Sequence, residues 1–206
     1  MKYNLPKKHF SYSQLSLWLK NKQQYRERYY LDAPAFESKE TIFGKRVARM
    51  LETGQKDPVL DLVPRYPVME HRLEVKIAGV PFLGFLDSFS KRKKAILEYK
   101  TGKNAWNDVL VHKHDQLTIY SLLVKTIYGK VDPLVKLIWI ETRYKSETQK
   151  LGNREMEGES NELEFTGKIE IFERKIAEWE RKNIKKLIIR TAEEISKDYT
   201  NWQKKL

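Results

Sequence analysis

Hydrophobic positions recur along this chain with two different periods, and the changeovers between them mark its elements. In "SYSQLSLWLKNKQQYRERYY", Leu15, Trp18, Tyr25 and Tyr29 fall at helical spacing, and Ser11 or Ser13 stands where a cap belongs. The spacing predicts one helix whose aromatics form a core stripe, with base stacking as the alternative use. A second helix is predicted through "ESKETIFGKRVARMLETG", closed by Gly54. The period then shortens to two. "VMEHRLEVKIAG", "VPFLGFLDSFS" and "KAILEYKTG" read as three strands joined by a Gly-Val-Pro turn and a basic turn. "NDVLVHKHDQLTIYSLLVKTIYGK" returns to helical spacing up to Gly129, and "LVKLIWIETRY" is apolar enough for a central strand.

Beyond that point the pattern weakens. Residues 145 to 160, "KSETQKLGNREMEGES", are polar throughout and read as a loop. "NELEFTG" is a short strand candidate. Lys168 to Tyr199 reads as one or two long charged helices with Ile169, Phe172, Ile176, Trp179 and Ile184 as the apolar stripe. The basic runs "KRKK" and "ERKNIKK" read as solvated faces.

Composition changes the picture in three ways. A length of 206 residues suits one domain spanning 1–206, with a core at about 37–142 and helices packed on it. Forty lysines and arginines against 28 acids leave a net charge of +12, which points to a polyanionic partner. The absence of cysteine excludes disulfides, thiolate nucleophiles and cysteine-ligated iron–sulfur clusters. "MKYNLPKKHF" has no apolar signal core and no apolar run approaches bilayer length, so a cytoplasmic protein with no membrane partner is expected.

The candidate chemistry lies in "GFLDSFSKRKKAILEYKTGK". With a two-residue turn at Arg92-Lys93, Lys91 faces Lys94, Phe89 faces Ile96 and Asp87 faces Glu98, while alternation puts Lys100 on the Glu98 side. Opposed side chains sit about 5 Å apart. Two bare carboxylates at that distance repel by roughly 3 kcal/mol at an effective dielectric near 20. A divalent cation with a taste for hard oxygen ligands, Mg²⁺ or Mn²⁺, reverses that sign. Pairing of both acids with nearby lysines on a solvated face is the other solution.

"GFLD" followed by "LEYKTG" resembles the signature of the PD-(D/E)XK nuclease superfamily, in the form seen in its RecB-like and Cas4-like exonuclease branch. "SYSQLSLW", "FGKRVARMLE" and "DQLTIYSLL" resemble further motifs of that branch, in family order over residues 11 to 125. The resemblance implies an α/β (α+β) fold: a restriction-endonuclease-like core, a mixed sheet flanked by helices, here with a C-terminal helical extension. It implies metal-assisted hydrolysis of DNA phosphodiesters, at single-stranded or duplex ends, in recombination, repair or phage DNA metabolism. Asp87, Glu98 and the Tyr99 main-chain carbonyl would hold the metal. Lys100 would position or activate water and stabilise phosphate charge, and Gln116 would orient Lys100 or a phosphate. Tyr120 would sit beside the site or pack in the core. His112 and Lys103 are candidate phosphate contacts, and Arg46, Arg49 and Lys113 further cations lining the approach.

Two departures accompany the resemblance. The branch's histidine ligand, four residues after the helix glycine, is replaced by Ala48, and Glu52 or Glu70 could take its place. The cysteines that hold an iron–sulfur cluster in the Cas4-like branch are absent. A DNA-binding module that keeps the fold without catalysis is the competing function. The residues fix no oligomeric state.

Overall fold

The computed structural model describes residues 3–129, 131–151 and 154–205, with backbone only at 147–151, 154–159 and 161. Five strands form one mixed sheet in sequential order: β1 Val68–Ile77, β2 Val80–Ser90, β3 Ala95–Gly102, β4 Leu134–Leu151 and β5 Arg154–Lys175. β3 and β4 run parallel, and every other neighbour is antiparallel. The parallel pair demands a crossover, which α4 (Asp108–His112) and α5 (Asp115–Tyr128) supply. The helices lie on both faces, so the fold is α/β, a mixed sheet flanked by helices.

One face carries α1 (Tyr12–Lys20), α2 (Lys22–Tyr30), α5 and α6 (Glu178–Gln203). Their Leu15, Trp18, Leu123 and Ile188 pack on Phe82, Leu86, Ile96 and Trp139 of the sheet. The other face is covered by α3 (Lys39–Thr53), whose Val47, Met50 and Leu51 meet Leu97, Ile138 and Ile140. Strand alternation sorts β3 accordingly: Ile96 packs towards α5, while Leu97 and Tyr99 belong to the α3 side.

Five expectations need correction. The N-terminal helix is broken in two because Asn21 leaves the helical region, and its side chain caps α2 through the Gln24 amide at 3.0 Å. The crossover helix breaks likewise at Lys113-His114. The first hairpin turns at Ala78-Gly79, both at positive φ (49° and 88°), so Val80 and Pro81 already belong to β2. Residues 145–151 and 154–160 are strand rather than loop (152 and 153 lie outside the described residues), and 168–175 are strand rather than helix: β4 and β5 pair as a hairpin from Leu134↔Lys175 to Leu151↔Arg154, with register shifts at Ile140/Thr142 and Tyr144/Ser146.

Past Glu141 β4 has no β3 partner, so the hairpin leaves the sheet as a two-stranded arm about 30 Å long. Cross-strand ion pairs such as Arg143–Glu164 (2.9 Å) and Lys145–Glu162 (2.7 Å) line it. Beyond the sheet the two strands pair only with each other, and the arm's sequence shows no apolar alternation to read.

Two buried arginines then fix the crossover. Arg174 of β5, 3% exposed, donates to the Val111 carbonyl at 3.1 Å and to the Glu180 carboxylate of α6. Arg181 of α6 donates to Ser121 Oγ of α5 at 3.2 Å. The position of α5, and so of its first turn, is set by these contacts.

Candidate active site

Glycine decides how closely α5 can approach the sheet. A Cβ at Gly84 of β2 would lie 2.7 Å from Leu123 Cδ1 and 3.3 Å from Tyr120 Cε1, closer than packing tolerates. With that space open, α5 lies against β2 and delivers Gln116 to the end of β3. Lys100 Nζ donates to Gln116 Oε1 at 2.9 Å, and Gln116 Nε2 donates to Tyr120 Oη at 2.9 Å. Lys100, which can only donate, thereby fixes which end of the amide faces it, and Tyr120 Oη takes the other end.

The predicted hairpin register is observed. Phe89 faces Ile96, and the ladder runs from Ser90↔Ala95 to Ser88↔Leu97. It then stops, one step before Asp87 and Glu98. Asp87 Oδ2 accepts instead from the Tyr99 amide at 2.8 Å. Glu98 Oε1 accepts from Lys100 Nζ at 2.6 Å.

A paired irregularity aims the acids. β1 and β2 keep one register on both sides, Met69↔Ser88 and then His71↔Leu86, with no regular pair at Glu70 and Asp87. Met69 packs on the α3 side, whereas His71 stacks on Phe89 of the α5 side at 5.1 Å. Leu86 and Phe89, three positions apart, share the α5 side. Both strands therefore change face at the same step, and Glu70 takes it with a left-handed φ of 46°. A non-glycine residue in that region is strained, and such strain clusters at functional sites.

The electrostatics follow from burial. Glu98 is 2% exposed, and burial pushes its carboxyl up to about 8. The Lys100 ammonium opposes that, while the charge of Asp87 and a proton shared with it add to it. Asp87 is raised by burial too, against the Tyr99 amide and Lys100. For Lys100 burial works downwards, but Glu98, Asp87 and Tyr12 together hold it above its ordinary value. Burial raises Glu70, with the charges of Asp87 and Glu52 adding to it.

Glu98 Oε2 is buried and has no hydrogen-bond donor among the described residues. Its close neighbour is the Asp87 carboxyl, a second acceptor. This donor-poor pair of hard oxygens has the chemistry that a divalent cation satisfies. Among the described residues no three or more acidic, histidine or cysteine side chains group closely enough to hold a metal. Mg²⁺ commonly takes one or two carboxylates and completes its shell with water and phosphate oxygens, so two carboxylates fit it.

The remaining predicted residues are dispersed. Tyr120 is buried at 6% exposure and packs in the core, where it orients Gln116 rather than facing solvent. His112 is exposed on α4 and lines a cleft with Trp179, away from Lys100. Lys103 is exposed beside the site, in a cleft of about 410 Å³ with Thr101, Asn104 and Trp106. Glu52 is exposed on the last turn of α3 and reaches the site only through Glu70. Of the two substitutes for the missing histidine, Glu70 is the one whose neighbour is Asp87.

Two residues beside Lys100 escaped the sequence reading. His114 is pressed between Tyr12 (5.9 Å) and Trp106 (5.1 Å), both edge-to-face. Burial and the Lys100 charge lower it to about 4, and its Nε2 is buried without a partner among the described residues. Tyr12 is raised by burial and feels the charge of Lys100. Phe10 brings it there by bonding to both Pro81 and Leu83 of β2 (2.7 and 2.8 Å). Only the polar spacing "HKHD" hinted at His114.

No family model and no curated protein matches the sequence. Solved structures do. A crystal structure of a "Putative exonuclease" from Eubacterium rectale superposes with a TM-score of 0.60 at 10% identity, over 91% of this chain and 82% of that one. The crystal structure of SSO0001 gives a TM-score of 0.48 at 16% identity, over 90% and 75%. At such identities the first likeness speaks for the fold, and that fold is one found in a protein named as a nuclease.

Proposed function

We propose that this chain is a metal-dependent deoxyribonuclease of the PD-(D/E)XK superfamily, RecB-like branch, acting as an exonuclease on DNA ends. One observation carries the reading: Glu98 is buried against Asp87, its Oε2 meets no donor from any other described residue, and Lys100 is tied to the same carboxylate and to Gln116. Two carboxyls buried against each other cost the fold stability unless a proton or a cation lies between them, and buried groups shifted in this way cluster at functional sites.

Asp87 Oδ1, Glu98 Oε2 and the Tyr99 carbonyl would hold Mg²⁺, or Mn²⁺ in its stead. The bound ion would neutralise the two carboxylates and polarise the scissile phosphate. The chain's own residues do the rest. Lys100 spends two of its three ammonium hydrogens on Glu98 and Gln116, leaving one to orient water or hold a phosphate oxygen. Gln116, fixed by Tyr120, keeps that ammonium from swinging away. The Asp87–Tyr99 bond keeps the β2 carboxylate turned towards Glu98.

The deciding experiment is digestion of end-labelled linear and closed circular DNA with Mg²⁺, Mn²⁺ or EDTA. Loss of linear DNA from its ends with metal, and survival of the circle, is the expected result. Nicking of the circle would make the enzyme an endonuclease. Binding of both DNAs without digestion under any metal would make the chain a DNA-binding module instead, a reading that Ala48 in the usual histidine position favours.

A further inference from the structure

The charge of +12 is not concentrated beside the proposed site. The groove of about 510 Å³ between α3 and β5 sets Lys39, Arg46 and Lys145 against Asp57, Glu162 and Glu164. In the smaller cleft next to Thr101, Arg143 is bonded to Glu164, and the Tyr144 hydroxyl donates to Glu40. The groove is balanced, and the smaller cleft, with Lys103 and Arg143 against Glu40, carries one positive charge more than negative.

α6 is different. Trp179, Lys182, Lys186 and Arg190 follow one another at three- and four-residue steps, so they share one face of the helix. All are exposed, Trp179 at 65%, and among the described residues the three cations have no ion pair. Successive cations stand about 6 Å apart along the axis. The opposite face of the same helix, with Ile184, Ile188 and Ile195, is locked into the core. Trp179 and His112 line a cleft of about 260 Å³ together with Asp115 and Thr118 of α5. Gln116, between those two, holds Lys100. The stripe thus begins at the same turn of α5 that holds Lys100.

We propose that this face of α6 is the track that holds a single strand of nucleic acid to the protein, with Trp179 stacking on an unpaired base and Lys182, Lys186 and Arg190 meeting its phosphates. The inference rests on the nuclease reading and adds to it the strandedness of the substrate. Exposed aromatics next to cations are how strands are held without regard to sequence. Phosphate contacts alone would serve a duplex equally well; the exposed indole is what selects a base that is out of its pair. A membrane surface is the poorer partner, because the apolar side of α6 is already buried and cannot enter lipid.

The test is the affinity of wild-type protein for a labelled single-stranded oligonucleotide and its duplex, against salt, with the metal chelated. It is repeated with Lys182→Gln/Lys186→Gln/Arg190→Gln and with a control, Lys91→Gln/Arg92→Gln/Lys93→Gln, which removes equal charge at the exposed β2–β3 turn. The α6 triple should reduce the single-strand log–log salt slope by about 2, at about 0.7 for each phosphate no longer neutralised, and the control should leave it unchanged. Trp179→Ala should weaken single-strand binding roughly tenfold and duplex binding little, with Trp179→Phe restoring much of the loss. Equal effects of the two triples, an unchanged Trp179→Ala, tighter binding of duplex, or loss only of binding to phosphatidylserine vesicles would each overturn the proposal. Digestion by the Lys91→Gln/Arg92→Gln/Lys93→Gln control should match wild type. If the wild-type protein digests DNA but the two triples behave alike, the α6 track falls and the nuclease stands. If α6 binds single strands as stated but no DNA is ever digested, the nuclease reading falls instead.

Discussion

Replacing Glu98 with Gln should make the metal-free protein more stable while abolishing cleavage. The buried carboxyl titrates at about 8 in the folded chain and in the ordinary carboxylate range, near 4.5, when unfolded. Between those values the folded state holds a proton that the unfolded state has released, so stability falls as pH rises through that window. Each pH unit costs about 1.4 kcal/mol, which makes about 3 kcal/mol at pH 7 an upper value. The pull of the Lys100 ammonium, bonded to Oε1, is already contained in that value, so about 1–3 kcal/mol is expected. A glutamine does not ionise, keeps an oxygen for Lys100, and turns an N–H towards Asp87 where Oε2 has no donor. In a chain of this size the gain corresponds to a rise in Tm of about 5 °C. The assay is thermal unfolding of both proteins with EDTA from pH 4 to pH 9. The two curves should meet near pH 4.5 and separate up to pH 8, with Mg²⁺ raising only the wild-type Tm. A Glu98→Gln protein no more stable than wild type at pH 8, or a wild-type Tm flat across the window, would refute the reasoning.

Asp87→Asn should abolish digestion yet unfold near the wild-type temperature, because the amide oxygen still accepts from Tyr99; Asp87→Ala should lose about 1–3 kcal/mol as well, read by urea titration. Glu70→Gly should relieve the left-handed strain and gain about 1 kcal/mol, while both it and Glu70→Gln raise the Mg²⁺ concentration needed for half-maximal digestion; Glu52→Gln should leave that concentration unchanged. Gly84→Ala should cost about 1–3 kcal/mol by forcing α5 off β2, and should lower kcat at saturating DNA as Gln116 moves from Lys100, seen by unfolding and turnover measured together.

What the sequence determined by itself was whatever depends on neighbours along the chain. The helix closed by Gly54, the three-strand meander, the central apolar β4 and the register that sets Phe89 against Ile96 all follow from period, cap and turn chemistry. The pairing of Glu98 with Lys100 follows from alternation alone. Tertiary structure decided the rest, because it depends on which surfaces meet. The β4–β5 arm carries no apolar pattern, since most of it leaves the sheet; only the pairing of Arg154 with Leu151 and of each step behind it shows it to be strand. Ile169 and Phe172 looked helical by spacing, yet they serve opposite faces of the sheet. Asp87 was expected to face Glu98 in a regular pair, but the paired irregularity with Glu70 turns it to cap Tyr99, a choice made by φ at Glu70 and invisible in residue order. His112 and His114 were indistinguishable in "VHKHD"; the break between α4 and α5, pinned by Arg174, sends His112 to the Trp179 cleft and His114 to Lys100. Local order encodes the elements and the spacing of their side chains, whereas the direction in which a carboxylate or an imidazole finally points is fixed by packing between elements far apart in the chain.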